Sequence, residues 1–574
     1  MAKTMGGAIA ITGMGILCAI GNDQQAVLAS LQKKASGIGP MKYLPSVHTD
    51  IPVGEIKLST EEMKQMLGIS RDETVSRTSV IGAIAVREAL AQAGIKEVTG
   101  KRVALISGTT VGVMDVTEQH FIQARTEPGL LSLKGNECGK STQEIARYAG
   151  LADAKCCTIC TACSSALNAI MLGSEMLKND EVDLVVAGGS EPLSIFHLNG
   201  FNTLMILDRE RCRPFDDTRA GLNLGEGAAF VVLQKDVPEG LAYVHGYANR
   251  CDAFHQTATS KNGEGAFQAM TGALRMAGLQ PEDIQYINAH GTGTPDNDAS
   301  ETAAFRRVFG ENLPEMSSTK SYTGHTTSAA GSVETVICIL AMQNNFVPAS
   351  LGWSHLMPDG YVPSKGRTGI NLEYVMCNSF GFGGNDSCLI LGKGQPKADA
   401  APLLEASRID IASRRIVSSD EELIELKSYM SPMESRRMGK IMKASLLSAF
   451  SVLKDAGVER PDAIIAATSQ GMLELSAIFL ADIVENREEQ LKPTVFMQCT
   501  HNTIASAIAI RTGCHGYNIT YSQGDESLAW AVRDAKIRLR KGEAKTVLVC
   551  AFDEELSDGR TSCFKAESTL YTIV

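Results

Sequence analysis

Apolar and polar positions alternate along the chain in two rhythms, short aliphatic runs and longer amphipathic stretches. Residues 103–107 and 183–187 are runs that predict buried strands, and residues 164–178 carry apolar side chains at helical spacing. Strands and helices that alternate in this way are typical of a largely parallel sheet covered by helices. After Leu391 the pattern breaks, because residues 392–402 are polar and contain glycine and proline, as linkers do. The hydrophobic pattern therefore predicts an α/β protein in two parts.

The part after the linker looks like a partial copy of the part before it. A predicted helix ending at Gly94 has a counterpart ending at Gly457, 363 residues later, and the turn at Cys163 has one at Gly524, 361 residues later. The matched segments are 77–94 with 440–457, 103–107 with 464–468, 158–177 with 519–539, and 185–191 with 548–554. The near-constant offset predicts a duplicated unit, and a general likeness among βαβ units stays open as the alternative.

Charge and composition exclude several classes of function. The 574 residues hold 54 Lys and Arg against 65 Asp and Glu, a net charge of −11, and 44% of them are hydrophobic. Hydrophobicity at this level is typical of a folded globular chain. A protein that binds nucleic acid without regard to sequence needs a basic surface, so the acidic balance argues against that class. We therefore expect no nucleic-acid partner.

Cysteine usage and hydropathy indicate where the protein resides. Fifteen cysteines, an odd number without the spacing of a disulfide framework, predict reduced thiols and a cytoplasmic location. The longest uninterrupted apolar run, 336–342, is far shorter than a membrane-spanning helix, so we expect no membrane span. The apolar stretch 6–21 is rich in glycine and lacks a clear cleavage site, which predicts a first strand and turn rather than a signal peptide.

Cys163 is the strongest candidate for a nucleophile. A predicted strand at 157–160 runs into a tight turn, and a helix opens directly after Cys163. Free amide groups and the helix dipole at such a position favour the thiolate over the thiol. A buried structural cysteine stays open as the alternative. Cys157, Cys160 and Cys163 also have the spacing of part of an iron–sulfur motif, but no fourth cysteine follows nearby, so we expect neither a metal nor a cofactor.

Two histidines and a glycine-rich segment complete the candidate chemistry. His290 follows a predicted strand at 284–287 in a Gly/Thr turn, and His325 ends the turn Lys-Ser-Tyr-Thr-Gly-His before a predicted helix. Polar turns at strand ends are where α/β proteins usually place a site, although each histidine alone could be structural. Residues 378–385, Asn-Ser-Phe-Gly-Phe-Gly-Gly-Asn, contain enough glycine to expose backbone N–H groups, as an oxyanion hole requires. A plain Gly-rich turn is the alternative for this segment.

Taken together and in this order, these elements resemble the β-ketoacyl-[acyl-carrier-protein] synthases, the condensing enzymes of fatty-acid and type II polyketide synthesis. The resemblance covers residues 8 to about 393 and includes segments 12–15, 213–216 and 225–228. It implies an α/β fold of the thiolase type, with αβαβα layers built from two similar halves. It also implies an elongating enzyme, since the initiating relatives carry His and Asn instead of two histidines.

The resemblance implies a role for each candidate residue. Cys163 would carry the acyl chain as a thioester, while His290 and His325 would promote decarboxylation of malonyl-carrier protein and stabilise the enolate. Lys320 and Glu334 would organise the histidine site. The other assignments are the amides of Cys163 and Phe382 for the oxyanion hole, Phe382 as the gate of the acyl pocket, Phe380 as a further substrate-binding residue, and Thr292 and Thr294 for the pantetheine arm.

The tail resembles the N-terminal half of a ketosynthase, of a kind found in bacterial polyene-pigment gene sets. Gly524 is expected where the first copy has Cys163. We therefore predict a ketosynthase domain at 1–393, a linker at 394–407 and a non-catalytic ketosynthase-like half-domain at 408–574, which adds one thiolase-type half to the fold. Two roles stay open for this half-domain: it shapes the acyl pocket, as chain-length factors do, or it only adds solubility and dimer contacts.

The implied reaction is decarboxylative Claisen condensation of an acyl thioester on Cys163 with malonyl-carrier protein. The expected context is aryl-polyene or flexirubin-like polyketide synthesis, or ordinary fatty-acid elongation. Expected partners are acyl carrier protein, malonyl and acyl thioesters, and a second chain in a homodimer or a ketosynthase heterodimer. The alternative is a non-catalytic partner similar to a chain-length factor, and the intact Cys163, His290, His325 and Lys320 argue against it for the first domain.

Overall fold

A computed structural model describes residues 7–124, 137–396, 408–557 and 560–573. The first half contains β1 (Ile9–Cys18), α1 (Gln24–Lys33), α2 (Thr60–Leu67), α3 (Arg77–Gln92), β2 (Val103–Gly108), α4 (Met114–Ala124), α5 (Cys138–Ala149), β3 (Lys155–Ile159), α6 (Ser165–Lys178), β4 (Leu184–Glu191), α7 (Ile195–Thr203) and β5 (Gly227–Lys235). The second half contains β6 (Ala242–Cys251), α8 (Glu264–Ala277), β7 (Tyr286–Asn288), α9 (Pro295–Phe309), β8 (Glu315–Ser317), α10 (Lys320–Thr323), α11 (Ala330–Asn344), β9 (Phe346–Ala349), β10 (Lys365–Thr368), β11 (Tyr374–Gly381) and β12 (Asn385–Gly392). The half-domain contains β13 (Ile409–Val417), α12 (Pro432–Ser435), α13 (Lys440–Asp455), β14 (Ala463–Ala467), α14 (Leu473–Glu485), α15 (Pro493–Phe496), α16 (Thr503–Thr512), β15 (Tyr517–Tyr521), α17 (Ser527–Arg540), β16 (Thr546–Ser557) and β17 (Arg560–Ile573).

The predicted elements of both copies are present. Strands β2 and β4 and helix α6 lie where the hydrophobic pattern predicts them, and α3 and α13 form the matched helical pair. The predicted strand 284–287 is shorter and later, because a 3₁₀ turn at Pro281–Asp283 ends with the Ile284 N–H donating to the Pro281 carbonyl. The predicted linker 394–407 falls, from residue 397 onward, outside the described residues. Among the described helices, none is both long and apolar enough to cross a bilayer.

The first and second halves form the layered α/β architecture that the sequence predicts. Their strands follow the order β3-β2-β4-β5-β1 and then β6-β12-β11-β7-β8, joined where β1 pairs antiparallel with β6. Helices α3 and α5 cover the strands of the first half, and α8 covers those of the second. Helices α6 and α11 pack against each other and contact strands of both halves, and nearly all of their residues are buried. This central helical layer between sheets gives the αβαβα order.

The half-domain continues the same sheet across the free edge of the first half. Its strands run β13-β17-β16-β14-β15, and β15 pairs antiparallel with β3 at Tyr521 and Ile159. Two backbone hydrogen bonds join the strands here, and the second repeats the first with the two copies exchanged. The Cys160 N–H donates to the Thr520 carbonyl and the Ser522 N–H donates to the Thr158 carbonyl, both at 2.9 Å. The half-domain and the first half are therefore related by an approximate two-fold axis that passes through this strand junction.

An asymmetric cluster of buried charges joins the two copies beside this junction. The first half supplies Glu175, which is 2% exposed, and Glu181. The half-domain supplies Arg538, which pairs with Glu175, Lys541, whose Nζ lies 3.0 Å from a Glu175 oxygen, and Arg533, whose Nε donates to Glu181 at 2.7 Å. Burial by itself would raise the pKa of Glu175, but the charges of Arg538 and Lys541 outweigh it and hold that pKa low. All acids of these cross-interface pairs thus lie on one copy and all bases on the other.

This charge pattern is specific to the intrachain pairing. The mirrored hydrogen bonds relate the copies by 362 residues, so Met176 and Asn179 occupy the places that Arg538 and Lys541 hold in the half-domain. Two first halves brought together through this face would therefore bury Glu175 without a basic partner. An unpaired buried carboxylate is strongly unfavourable, so the face is complementary to the half-domain rather than to itself.

Candidate active site

Cys163 lies in the turn between β3 and α6. Ala162 adopts a left-handed backbone conformation (φ 50°), which bends the chain sharply before the helix begins. The Ser165 hydroxyl stabilises the bend, because it accepts from the Thr161 N–H at 2.9 Å and donates to the Ala162 carbonyl at 2.6 Å. The turn leaves Cys163 only 6% exposed, at the mouth of a buried polar cluster.

The three residues predicted to do the chemistry converge although they are distant in sequence. His325 Nε2 lies 3.1 Å from Cys163 Sγ, and the His290 and His325 rings are 5.3 Å apart, nearly perpendicular. One ligand-type atom from each residue lies within 4.8 Å of the others, a spacing that a metal ion could also use. The Lys320 ammonium, 3.3 Å from His290 Nδ1, opposes a cation there. The cluster is therefore arranged for acid–base and nucleophilic chemistry.

Lys320 ties the histidine turn to α11. Its buried Nζ lies 2.5 Å from Glu334 Oε1 and donates to the His290 carbonyl at 2.6 Å as well as contacting His290 Nδ1. Burial raises the pKa of Glu334 to about 7, and the charge of Lys320 opposes that rise. An ammonium group can only donate, so His290 Nδ1 accepts and the ring proton of neutral His290 resides on Nε2. Lys320 and Glu334 thus lie where they set the tautomer of His290.

The protonation states at rest differ from the sequence expectation of a thiolate. Burial raises the pKa of Cys163 from 9.0 to about 12, a shift worth about 4 kcal/mol. A helix N-terminus offers only about 0.3 to 2 kcal/mol in return. Burial, followed by the charge of Lys320, lowers the pKa of both His290 and His325 well below 6.5. The resting site therefore holds a neutral thiol beside neutral imidazoles, and His325 Nε2 is the nearby base for the thiol proton.

The glycine-rich segment passes directly beside the nucleophile. The Ser379 hydroxyl donates to the Cys163 carbonyl at 2.8 Å, and the Phe382 N–H lowers the pKa of the Cys163 thiol against the larger rise that burial causes. A side chain on Gly381 would lie 3.0 Å from the Cys163 backbone nitrogen, so only glycine allows this close approach. The backbone N–H groups of Cys163 and Phe382 consequently lie near each other, as the predicted oxyanion hole requires.

The predicted substrate-binding residues surround this cluster. Phe380 is buried with its ring 5.9 Å from that of His290, and Phe382 is half-buried. Thr292 and Thr294 lie in the turn after His290, where their hydroxyl oxygens are 2.8 Å apart. Their contact with a pantetheine arm and the gating role of Phe382 stay predictions.

A row of three aromatic rings connects the loop beside Cys163 with the half-domain, and the sequence did not identify these rings. Phe382 stacks on Phe201 at 5.6 Å, and Phe201 in turn contacts Phe496 of the half-domain at 5.7 Å. Phe496 packs so closely on Gly200 that any side chain there would collide with its ring. Phenylalanines at these positions have the spacing of ordinary core residues, so nothing in the sequence marked them.

The nucleophile position of the half-domain is Asp525, not Gly524. The Gln523 N–H donates to the Ser527 hydroxyl, which donates to the Gly524 carbonyl, repeating the bonds that Ser165 makes in the first copy. Gly524 (φ 56°) thus matches Ala162, and Asp525 matches Cys163. The sequence comparison is off by one residue because it aligns Gly524 with Cys163. In the structure the two turns align at the residues with left-handed backbone, which are Ala162 and Gly524. The exposed carboxylate of Asp525 replaces the buried thiol, and the histidine that contacts this turn, His501, lies 2.9 Å from the Ser522 hydroxyl. The loss of the thiol favours a non-catalytic half-domain, which stays a prediction.

Comparisons with known proteins agree with this architecture. The family described as beta-ketoacyl synthase, N-terminal domain, matches residues 7–238, its C-terminal domain matches 241–354, and a further N-terminal domain matches 411–571. The chain is 34% identical over 413 residues to nodulation protein E of Rhizobium meliloti, covering 66% of this chain and 98% of that protein. It is 30% identical over 416 residues to 3-oxoacyl-[acyl-carrier-protein] synthase 2 of Staphylococcus aureus (strain COL), covering 67% and 98%.

Two solved structures extend the likeness. A ketosynthase (ApeO) in complex with its chain length factor (ApeC) from Xenorhabdus doucetiae matches with a TM-score of 0.60 and 31% identity, covering 68% of this chain and 98% of that one. A PfaC keto synthase–chain length factor matches with a TM-score of 0.78 over 99% of this chain and 78% of that one. Its identity is 16%, so that likeness concerns the fold alone.

Proposed function

The chain belongs to the β-ketoacyl synthase family, and we propose that it catalyses decarboxylative Claisen condensation of an acyl thioester on Cys163 with malonyl-[acyl-carrier-protein]. The observation that carries this proposal is the buried contact of Cys163 Sγ with His325 Nε2 at 3.1 Å, beside a His290 held by Lys320. That arrangement provides a nucleophile, a base and a donor in one water-poor cluster. It argues against a purely non-catalytic partner role for the first two halves.

The first step transfers the acyl group to Cys163. The thiol proton passes to His325 Nε2 while the sulfur attacks the acyl carbonyl carbon, and the amides of Cys163 and Phe382 stabilise the oxyanion. The bond to the carrier sulfur then breaks, and the leaving thiolate takes up the proton. Because the pKa of Cys163 is raised by burial, proton transfer and attack must be coupled.

The second step forms the carbon–carbon bond. The bond between the malonyl carboxylate and its α-carbon breaks and releases CO₂, and the electron pair moves to the thioester as an enolate. The His290 Nε2–H, fixed by the contact of Nδ1 with Lys320, donates to that oxygen. The α-carbon then attacks the acyl carbonyl, the bond to the Cys163 sulfur breaks, and the thiolate regains a proton from solvent.

Acylation followed by mass spectrometry tests the proposal. The full-length protein is incubated with a saturated acyl-carrier-protein thioester or with an arylacryloyl one, and then with malonyl-carrier protein. We expect an adduct on the peptide containing Cys163 that disappears on malonyl addition with release of CO₂. A folded protein that forms no adduct with either thioester contradicts the proposal. The thioester that reacts faster separates fatty-acid elongation from aryl-polyene or flexirubin-like synthesis, the pathway that the tail's resemblance favours.

We further propose that the half-domain supplies one wall of the acyl pocket. The rings of Phe382, Phe201 and Phe496 lie in succession from the loop beside Cys163 to the half-domain. An acyl chain that passes the gate therefore meets a surface that includes Phe496. The chain length factor partner of the similar ketosynthase structure supports this role.

Shortening this wall is expected to lengthen the product. In Phe496→Leu we expect the main product to gain at least one condensation cycle, because the smaller side chain leaves room beyond Phe201, while acylation of Cys163 stays within about twofold. Product lengths are measured by mass spectrometry of the released acyl chains. Phe564→Leu, at a buried phenylalanine of the half-domain outside the ring contacts, is the matched control. Identical products from the two variants would favour a half-domain that only stabilises.

A further inference from the structure

The loop Gly381–Asn385 is held from the half-domain side as well as by its own neighbours. Asn502, the residue before α16, donates from Nδ2 to the Phe382 carbonyl at 2.9 Å and to Asn385 Oδ1 at 2.7 Å. The Asn385 amide in turn donates to Asn518 Oδ1 at 3.0 Å. Phe382 and Asn385, at two points of the loop, are thus hydrogen-bonded to side chains of the half-domain.

The backbone N–H of Phe382, in contrast to its carbonyl, lies on the side of the nucleophile Cys163. This N–H lowers the pKa of the Cys163 thiol, against the larger rise that burial causes, whereas the Phe382 carbonyl accepts from Asn502. The carbonyl lies in the peptide plane after the Cα of Phe382 and the N–H lies in the plane before it, so the two are linked through the two backbone torsions of Phe382. The plane of the carbonyl is held from both ends, because Asn502 donates to its oxygen and the Gly383 N–H donates to the Gln256 carbonyl at 2.7 Å. Asn502 is 1% exposed, and water therefore cannot readily replace its bond to Phe382.

Asn502 is itself fixed relative to the nucleophile turn. The backbone N–H groups of His501 and Asn502 lower the pKa of the Cys160 thiol, three residues before Cys163, although burial raises it by more. The first turn of α16 also lies against the loop so closely that a side chain on Gly383 would come within 2.1 Å of Ser506 Oγ. The start of α16 therefore contacts the nucleophile turn on one side and the gate loop on the other.

Resting on the proposed function, we infer that Asn502 is a positioning residue: its amide holds the loop Gly381–Asn385 in the arrangement that places the Phe382 N–H beside the oxyanion. The half-domain then contributes to each acyl transfer, and not only to the shape of the acyl pocket. A mispositioned donor weakens binding of the transition state without weakening the docking of carrier protein. The inference concerns the rate of the chemical step.

Asn502→Asp tests the inference, because the variant keeps the shape and loses the donor. We expect kcat for acylation of Cys163 to fall about 10- to 100-fold with KM for the acyl-carrier protein unchanged. Alkylation of Cys163 by iodoacetamide, which forms no oxyanion, is expected to fall less than acylation, because displacing the Phe382 N–H affects it only through the pKa of the thiol. Asn502→Ala should behave similarly, with a smaller loss because no buried carboxylate is introduced.

Ser506→Ala is the matched control, since Ser506 lies one turn further along α16 against the same loop and its hydroxyl makes no hydrogen bond among the described residues. We expect this variant to retain acylation within twofold. Asn502→Asp and Asn502→Ala that acylate as fast as the wild type overturn the inference. So does a parallel loss of acylation and alkylation, which indicates general misfolding rather than positioning. A wild-type protein that is never acylated contradicts the proposed function instead.

Discussion

Cys163→Ala is expected to abolish both acylation and condensation, lowering turnover by at least about 10³-fold. Alanine removes the one sulfur that lies 3.1 Å from His325 Nε2, and neither histidine can carry the acyl chain from its place in the cluster. The half-domain offers no substitute, because its matching position holds the exposed Asp525. The measurement is release of CO₂ from malonyl-carrier protein coupled to product formation, together with mass spectrometry of the protein.

Cys157→Ala is the matched control for this prediction. Cys157 is a buried thiol of β3 in the same stretch of chain, but its side chain belongs to the hydrophobic core. We expect it to cost some stability and to leave the acyl adduct in place. Condensation that survives Cys163→Ala would remove the main assignment and would require a nucleophile elsewhere in the molecule.

The second large effect is expected from Arg538→Ala at the junction with the half-domain. The substitution leaves Glu175 and Asp534 buried with less positive charge, and breaking a buried ion pair from one side costs about 3 to 5 kcal/mol. We expect the half-domain to lose its docking first, which lowers the temperature of unfolding and exposes the edge of β3. Thermal unfolding and limited proteolysis measure the two consequences.

Arg540→Ala is the matched control, because Arg540 lies on the exposed face of the same helix. Its change in the free energy of unfolding is expected to stay within about 0.5 kcal/mol. Equal behaviour of the two variants would contradict the role of the charge cluster. The contribution of Glu175 to stability also depends on pH, because its pKa is lowered from 4.5 to about 2 in the folded protein. That contribution is fully present above pH 4.5, declines below it and is lost as the pH falls through about 2.

The two units also predict a link between docking and catalysis. If Asn502 holds the gate loop, Arg538→Ala should slow acylation as the half-domain separates, although Arg538 lies far from Cys163 in the interface network. A ketosynthase domain that keeps full activity without a docked half-domain would leave Asn502 with no positioning role. Loss of half-domain docking, measured by unfolding, should therefore be accompanied by slower acylation of Cys163.

The local elements and the candidate site residues could be predicted from the sequence because both are encoded in short segments. Helical and strand periodicity placed β2, α6 and β4, and short motifs around Cys163, His290 and His325 carried the resemblance to the family. The glycines of the loop 378–385 indicated a close backbone approach, and Gly381 makes one. Burial, which is a property of the folded molecule, raises the pKa of Cys163 and opposes the thiolate that the sequence position at the start of a helix favours.

By itself, the sequence determined the duplication and named the residues proposed for the reaction. Only the tertiary structure showed where the half-domain docks and which residues it contacts, because those contacts join residues that are far apart in the sequence. Glu175 and Arg538 are 363 residues apart, and Phe382 and Asn502 are 120 apart. Neither pair has a spacing that a helix or strand repeats. Pairing of β3 with β15 brings them together, and it also shows that Asp525, rather than Gly524, stands at the position of the nucleophile.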